Sequence, residues 1–186
     1  MHPLRLLLRD KTNADHNRID AAYSKLDLKN RSDFSVFLLS HLIAMKTLRP
    51  VLKRLPVELQ FLETESIIRS DLGILGTASA VTTPVPIPKI AEPLGTAYVI
   101  AGSHLGRKLL RNQWSKSSDV IVLSAASFMK ENEQNRSWQF LLSSLKEFEF
   151  KKADVENLIQ SSKTTFEVFE IALRAAQSEI DTCLRV

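Results

Sequence analysis

The chain predicts an all-α fold, and three features of it do so. Its 186 residues include only five glycines. Apolar side chains recur at intervals of three and four over long stretches, while the strict apolar and polar alternation of half-buried strands is hard to find. Four of the seven prolines fall between residues 84 and 93, so the residue that most disrupts helices is largely confined to one segment. The length suits a single domain spanning residues 1–186, large enough to bury most of its apolar side chains.

Taken in order, the periodicity predicts helices over 3–28, 33–53, 57–75, 93–114, 118–132, 136–148 and 152–183. Asp33 and Asp154 read as N-caps, and Pro50 and Pro56 punctuate the second and third helices. The stretch from Thr77 to Pro93 contains TTPVPIPKIAEP, whose prolines exclude helix and favour an extended connection. The helix over 93–114 begins where that connection ends.

Composition narrows the function. Hydrophobic residues make up 44% and charged residues 25%, ordinary for a globular protein and against disorder. The single cysteine, Cys183, cannot form an internal disulfide framework. The apolar run in MHPLRLLLRDKT is interrupted at Arg5 and closed by Arg9, too short for a signal-peptide core or a membrane span. A cytoplasmic location without membrane association is the resulting expectation. The net charge of +4 is spread along the chain with no zinc-knuckle or RNP-type motif, so nucleic acid is not the expected partner. A mildly basic surface suits an acidic protein or an anionic cofactor.

Two segments carry chemistry. In AYVIAGSHLGRKLL, Gly102 and Gly106 stand four apart within a helical pattern. Each glycine costs a helix about 1 kcal/mol relative to alanine. At that spacing the two share a face and leave bare backbone that a flat ligand or a neighbouring helix can approach. In the first helix, Leu8, Thr12, His16, Ile19, Tyr23 and Leu26 are spaced by three or four, which places His16 on the inward face. Such a histidine is either a hydrogen-bonded core residue or a metal donor, and imidazole is a common axial ligand of haem iron. Arg9 lies two turns before it, about 10.5 Å along the axis, suited either to solvent or to a carboxylate. His41, in FLLSHLIAM, reads as a core histidine with a local partner.

Other chemistries find no support. None of the four histidines has a glutamate three residues before it, as a di-iron bundle would require. Neither a phosphate loop nor a nucleophile elbow is present.

LRDKTNADHNRID (Leu8 to Asp20) and GTAYVIAGSHLG (Gly95 to Gly106) together resemble the haem oxygenase family, particularly its bacterial, biliverdin-forming members. KTTFEVF (Lys163 to Phe169) is similar, more weakly, to the last long helix of that family. The resemblance implies that haem b lies between the first helix and a kinked, glycine-bearing distal helix. His16 would bind the iron, with Thr12 and Asp20 one turn to either side of it and Arg9 on a propionate. Gly102 and Gly106 would line the distal side, Ser103 would stand where animal members order water with an aspartate, and Phe166 would form part of the wall. Haem would be both cofactor and substrate, giving biliverdin, carbon monoxide and iron. Electrons would come from an external donor, a ferredoxin or flavoprotein reductase, and a photoreceptor is one recipient of a bilin product. The thiaminase-like relatives of this fold use a cysteine within the helical core, whereas Cys183 is terminal.

The chain departs from the family pattern at Arg107 and His104, where smaller residues are common. Gln139 and Ser143 hold the places of further propionate contacts, with Arg136 or Lys146 as substitutes. These departures keep two other readings open: a haem-binding sensor or carrier without turnover, and a helical interaction module of the same fold.

Overall fold

The computed structural model describes residues 3–77, 80, 83–130, 134–147 and 151–183, with only the backbone given for residues 104–108, 134, 135 and 183. Among the described residues the chain is all-helical, without strands. Eight α-helices follow in order: α1 (Pro3–Tyr23), α2 (Arg31–Leu52), α3 (Thr64–Ile74), α4 (Pro93–Trp114), α5 (Val120–Ser124), α6 (Ser127–Lys130), α7 (Gln134–Glu147) and α8 (Lys152–Cys183). Among the described residues, one 3-10 turn covers Val57–Leu59.

The core forms around α2 and α8. α2 carries apolar residues on every side and is long and apolar enough to cross a membrane, yet most of it is covered by the rest of the fold. It packs along α8 and against α3. α8 has 32 residues and is therefore about 48 Å long, enough to touch α1, α2 and α4 in turn. α4 rests on α8 and α7, while α1 rests on α8 and makes lighter contact with α7.

One crossing is tighter than the rest. A Cβ placed on Gly95 would lie 2.5 Å from the Leu158 carbonyl oxygen, 2.8 Å from Ser161 Cβ and 2.9 Å from the Ser162 nitrogen. Only glycine lets α4 meet the backbone of α8 this closely. Small hydroxyl side chains seal the contact: Ser162 donates to the Gly95 carbonyl at 3.2 Å and Thr165 to Thr96 Oγ1 at 3.0 Å. The Glu92 amide donates to Ser161 Oγ at 3.1 Å. Gly95 thus makes the closest approach among the glycines whose surroundings are described, Gly102 has ordinary van der Waals space, and Gly106 lies outside the residues whose surroundings are described.

Expected and observed helices agree over 93–114 and 152–183, and the differences elsewhere have local causes. α1 stops at Tyr23, five residues early: the amides of Lys25 and Leu26 turn to carbonyls three residues back, and the Asp27 amide goes to Asp33 Oδ2 at 2.8 Å. Asp33 is consequently not the N-cap of α2. Asn30 is, accepting from the Asp33 amide at 2.8 Å, while Asp33 sits three residues in and reaches back. Asp154 behaves likewise, accepting from the Lys151 amide at 3.1 Å. Pro50 lies inside α2, two residues before its end, and does not stop it outright.

The helix expected over 57–75 is broken at Phe61, whose φ of +50° no α-helix accommodates. Arg49 holds that turn by donating to the carbonyls of Gln60 at 2.8 Å and Phe61 at 3.5 Å, and Phe61 itself is buried. The helix expected over 118–132 is divided into α5 and α6 by Asp71. This fully buried carboxylate accepts from the amides of Ser127 at 3.1 Å and Phe128 at 2.8 Å, starting a new helix there.

Three substitutions test this account by urea unfolding. Gly95→Ala is expected to destabilise the protein by at least about 3 kcal/mol, since the methyl would collide with backbone. Gly102→Ala is expected to be neutral or stabilising by up to about 1 kcal/mol, because its Cβ would make ordinary contact in a helix that gains propensity. Asp71→Ala strands the buried Phe128 amide and the half-buried Ser127 amide and is expected to cost about 3 kcal/mol.

Candidate functional site

α1 presents a buried stripe of Leu4, Leu8, Thr12, Ile19 and Tyr23. His16 lies beside that stripe, not on it. At 100° per residue it sits about 40° round the helix from Thr12, with Arg5 and Arg9 on the same margin. Its side chain is 55% exposed, which corrects the inward position expected from spacing alone.

The imidazole is nonetheless held. Asp20, one turn later, places Oδ2 3.1 Å from His16 Nδ1. A proton on Nδ1 shared with the carboxylate leaves the lone pair on Nε2, the tautomer suited to a metal donor. The Phe166 ring on α8 meets the imidazole edge-on with centroids 5.9 Å apart. Phe166 is buried, so the histidine rests on the fold with its outer edge in solvent. Two residues further along α1, Arg18 joins Asp15 at 2.9 Å and Glu170 of α8, pinning this part of α1 to α8.

Toward its N-terminus, α1 faces α4 and α7 through side chains. Thr12 donates to the Leu8 carbonyl at 2.7 Å and makes a polar contact with the Tyr98 phenol of α4. Burial pushes the Tyr98 phenol above its ordinary value, opposed by the nearby charge of Arg5, the contact with Thr12 and the charge of Arg9. The Arg5 guanidinium lies over the Trp138 ring of α7, 5.2 Å from its centroid. Trp138 tilts against Tyr98 with centroids 6.1 Å apart. Its ring edge comes within 3.6 Å of where a Cβ on Gly102 would be. Thus the backbone at Gly102 is not bare: the indole of Trp138 lies against it.

The remaining expected residues fall as follows. Ser103 is exposed and donates to the Ile100 carbonyl of its own helix at 2.8 Å. The side chains of His104, Arg107 and Cys183, and the surroundings of Gly106, lie outside the described residues. Arg136 lines a cavity of about 390 Å³ with Val57, Phe61, Leu62 and Phe140. The basic residue brought to Trp138 is Arg5, from α1. Sequence reasoning missed it, although Arg5 stands one turn before Arg9 on the same margin as His16, and that signal was present. His41 is the core histidine expected: Nδ1 donates to the Phe37 carbonyl at 2.8 Å, and Tyr23, Phe37, Phe128 and Phe169 surround the ring. Among the described residues no three His, Cys, Asp or Glu converge on one point.

The donor chemistry fits haem. One oriented imidazole is accessible at the margin of α1, and two arginines on that margin are available for carboxylates. Neither Arg5 nor Arg9 forms an ion pair among the described residues, and α1 and α4 meet there through side chains, not as a packed helix pair. No protein-family model matches the chain, and no curated protein sequence is significantly similar to it.

The chain has two tyrosines, Tyr23 and Tyr98. Burial pushes Tyr23 up strongly, opposed by its hydrogen bond to Ser40. Both phenols titrate above the value of 10.0 that applies to the unfolded chain, so the stability they carry is complete below pH 10 and lost as pH rises toward the folded-state values. Tyrosinate absorbance is therefore expected to appear only above that pH, together with loss of helical circular dichroism. Tyr98→Phe removes one of the two increments.

Proposed function

We propose that the chain binds haem between α1 and α4 and opens it oxidatively to biliverdin, releasing carbon monoxide and iron. The observation that carries this reading is the state of His16: Nδ1 is tied to Asp20, and Nε2 is left accessible with no protein partner among the described residues. Haem would supply the iron at which dioxygen is reduced, and its own ring would be the substrate.

The chain's residues then have distinct tasks. His16 donates to iron through Nε2, and Asp20 holds the imidazole in that tautomer. Phe166 backs the ring and limits its rotation. Arg9, about 10.5 Å from His16 along α1, meets a propionate, and Arg5 lies one turn beyond. The α4 strip at Gly102 and Gly106 would face the distal side once the Trp138 indole has moved off Gly102. Ser103 is the hydroxyl nearest that strip in sequence. An external ferredoxin or flavoprotein reductase supplies electrons, and the mildly basic surface suits an acidic donor.

A second reading, haem binding without ring opening, is favoured by one detail. The Ser103 proton goes to the Ile100 carbonyl, so that hydroxyl is not free to donate to a distal water.

The test is titration with ferric protoporphyrin IX followed by single turnover with reductant and oxygen. A histidine-ligated Soret band is expected, then the absorbance of biliverdin. His16→Ala is expected to lose the ligation signature and at least about tenfold in affinity, and Asp20→Asn about tenfold, in line with the loss of a metal ligand's supporting carboxylate. Unchanged spectra in His16→Ala would overturn the assignment. Binding without ring opening would select the second reading.

A further inference from the structure

Trp138 is buried, yet part of what holds its ring in place is other side chains. The Arg5 guanidinium lies over one face at 5.2 Å, and Tyr98 tilts against it at 6.1 Å. The ring edge lies against Gly102, where a Cβ would stand 3.6 Å away. A planar ligand seated against the Gly102 backbone and the indole in its present position would compete for the same space. Admission of such a ligand therefore requires Trp138 to move, and Arg5 bears on whether it can.

Resting on the haem reading above, we infer that Trp138 is a gate over Gly102 and that Arg5 is its catch, released when a ligand's carboxylate draws the guanidinium off the indole. A cation over an indole is held by a factor of about two to thirty, depending on how far it is desolvated. A carboxylate competes well for the same group, because two parallel charge-assisted hydrogen bonds replace one ring contact. Arg5 and Arg9 are one turn apart, and neither forms an ion pair among the described residues, so both are available to a dianionic ligand. An uncharged ligand of the same shape offers Arg5 only weaker, neutral acceptors and has to displace the ring against its catch. Trp138 is in this sense a specificity-determining residue for carboxylate-bearing tetrapyrroles.

The experiment compares ferric protoporphyrin IX with its dimethyl ester, in one buffer, against the full chain and the variants Arg5→Met, Trp138→Ala and Trp138→Leu. The last serves if the alanine variant does not keep its circular dichroism. The native chain is expected to prefer the diacid by at least about thirtyfold. Removing the indole is expected to raise ester affinity about tenfold and to change diacid affinity less than threefold. Arg5→Met is expected to lower diacid affinity, raise ester affinity and so narrow the preference. A readout independent of haem is acrylamide quenching in a Trp114→Phe background, where Trp138 is the sole tryptophan. Arg5→Met is expected to increase that quenching severalfold. Ester affinity unmoved by either Trp138 variant, or quenching unmoved by Arg5→Met, overturns the gate while His16-dependent binding still stands. Binding of both porphyrins that ignores His16→Ala removes the haem reading, and the gate falls with it.

Discussion

The crossing of α4 over α8 at Gly95 is the constraint on which the rest of the structure depends. With a backbone carbonyl 2.5 Å from the position of a Cβ, no side chain can stand there, and α4 can be set at this height and angle only by glycine. The seal around it is polar, drawn from Ser161, Ser162, Thr165 and Thr96, all buried. Those hydroxyls are each satisfied across the contact or by a carbonyl of their own helix. A buried hydroxyl without such a partner would cost far more than its packing returns, so the crossing is specific as well as close.

α8 is then the common support for both walls of the candidate site. α4 lies on it at Gly95, and α1 lies on it through the contact of Phe166 with His16 and the ion pair of Arg18 with Glu170. α1 and α4 do not pack as a helix pair along their length. They meet through Thr12, Tyr98, Arg5 and Trp138, side chains that can change rotamer without the backbone following. Two helices fixed to a third thus meet each other through side chains, and it is these that the proposed ligand would have to part.

Helices were legible in the sequence wherever their limits are set locally. α4 begins at a proline after a proline-rich connection, and α8 carries an uninterrupted amphipathic pattern, so both were placed to the residue. The breaks at Phe61 and before Ser127 were not legible, because each depends on a distant partner: Arg49 for the first, Asp71 for the second. The same limit explains the glycines. Gly102 and Gly106 have the more suggestive spacing, but what a missing Cβ is for depends on what lies opposite. Opposite Gly95 is backbone and opposite Gly102 is an indole ring, and no local pattern distinguishes them. His16 was placed on the right helix margin to within half a residue's rotation, which is enough to turn an inward side chain into a half-exposed one.

The N-terminal turns of α1 show a conflict between stability and use. The first turn contains Arg5 and no acidic residue, although the helix dipole there favours anions by about 0.3–1 kcal/mol each. Three other arginines have carboxylate partners, Arg18 with Asp15 and Glu170, Arg31 with Asp119 and Arg49 with Glu65, whereas Arg54 and Arg111 donate to backbone carbonyls. Arg5 and Arg9 are left with an aromatic face and a phenol as their nearest described company. Arg5, at the unfavourable end of α1, has no carboxylate partner among the described residues, and a resident carboxylate there would compete with an incoming one. An anionic ligand bound at this edge of α1, as proposed above, would relieve that local violation of helix electrostatics.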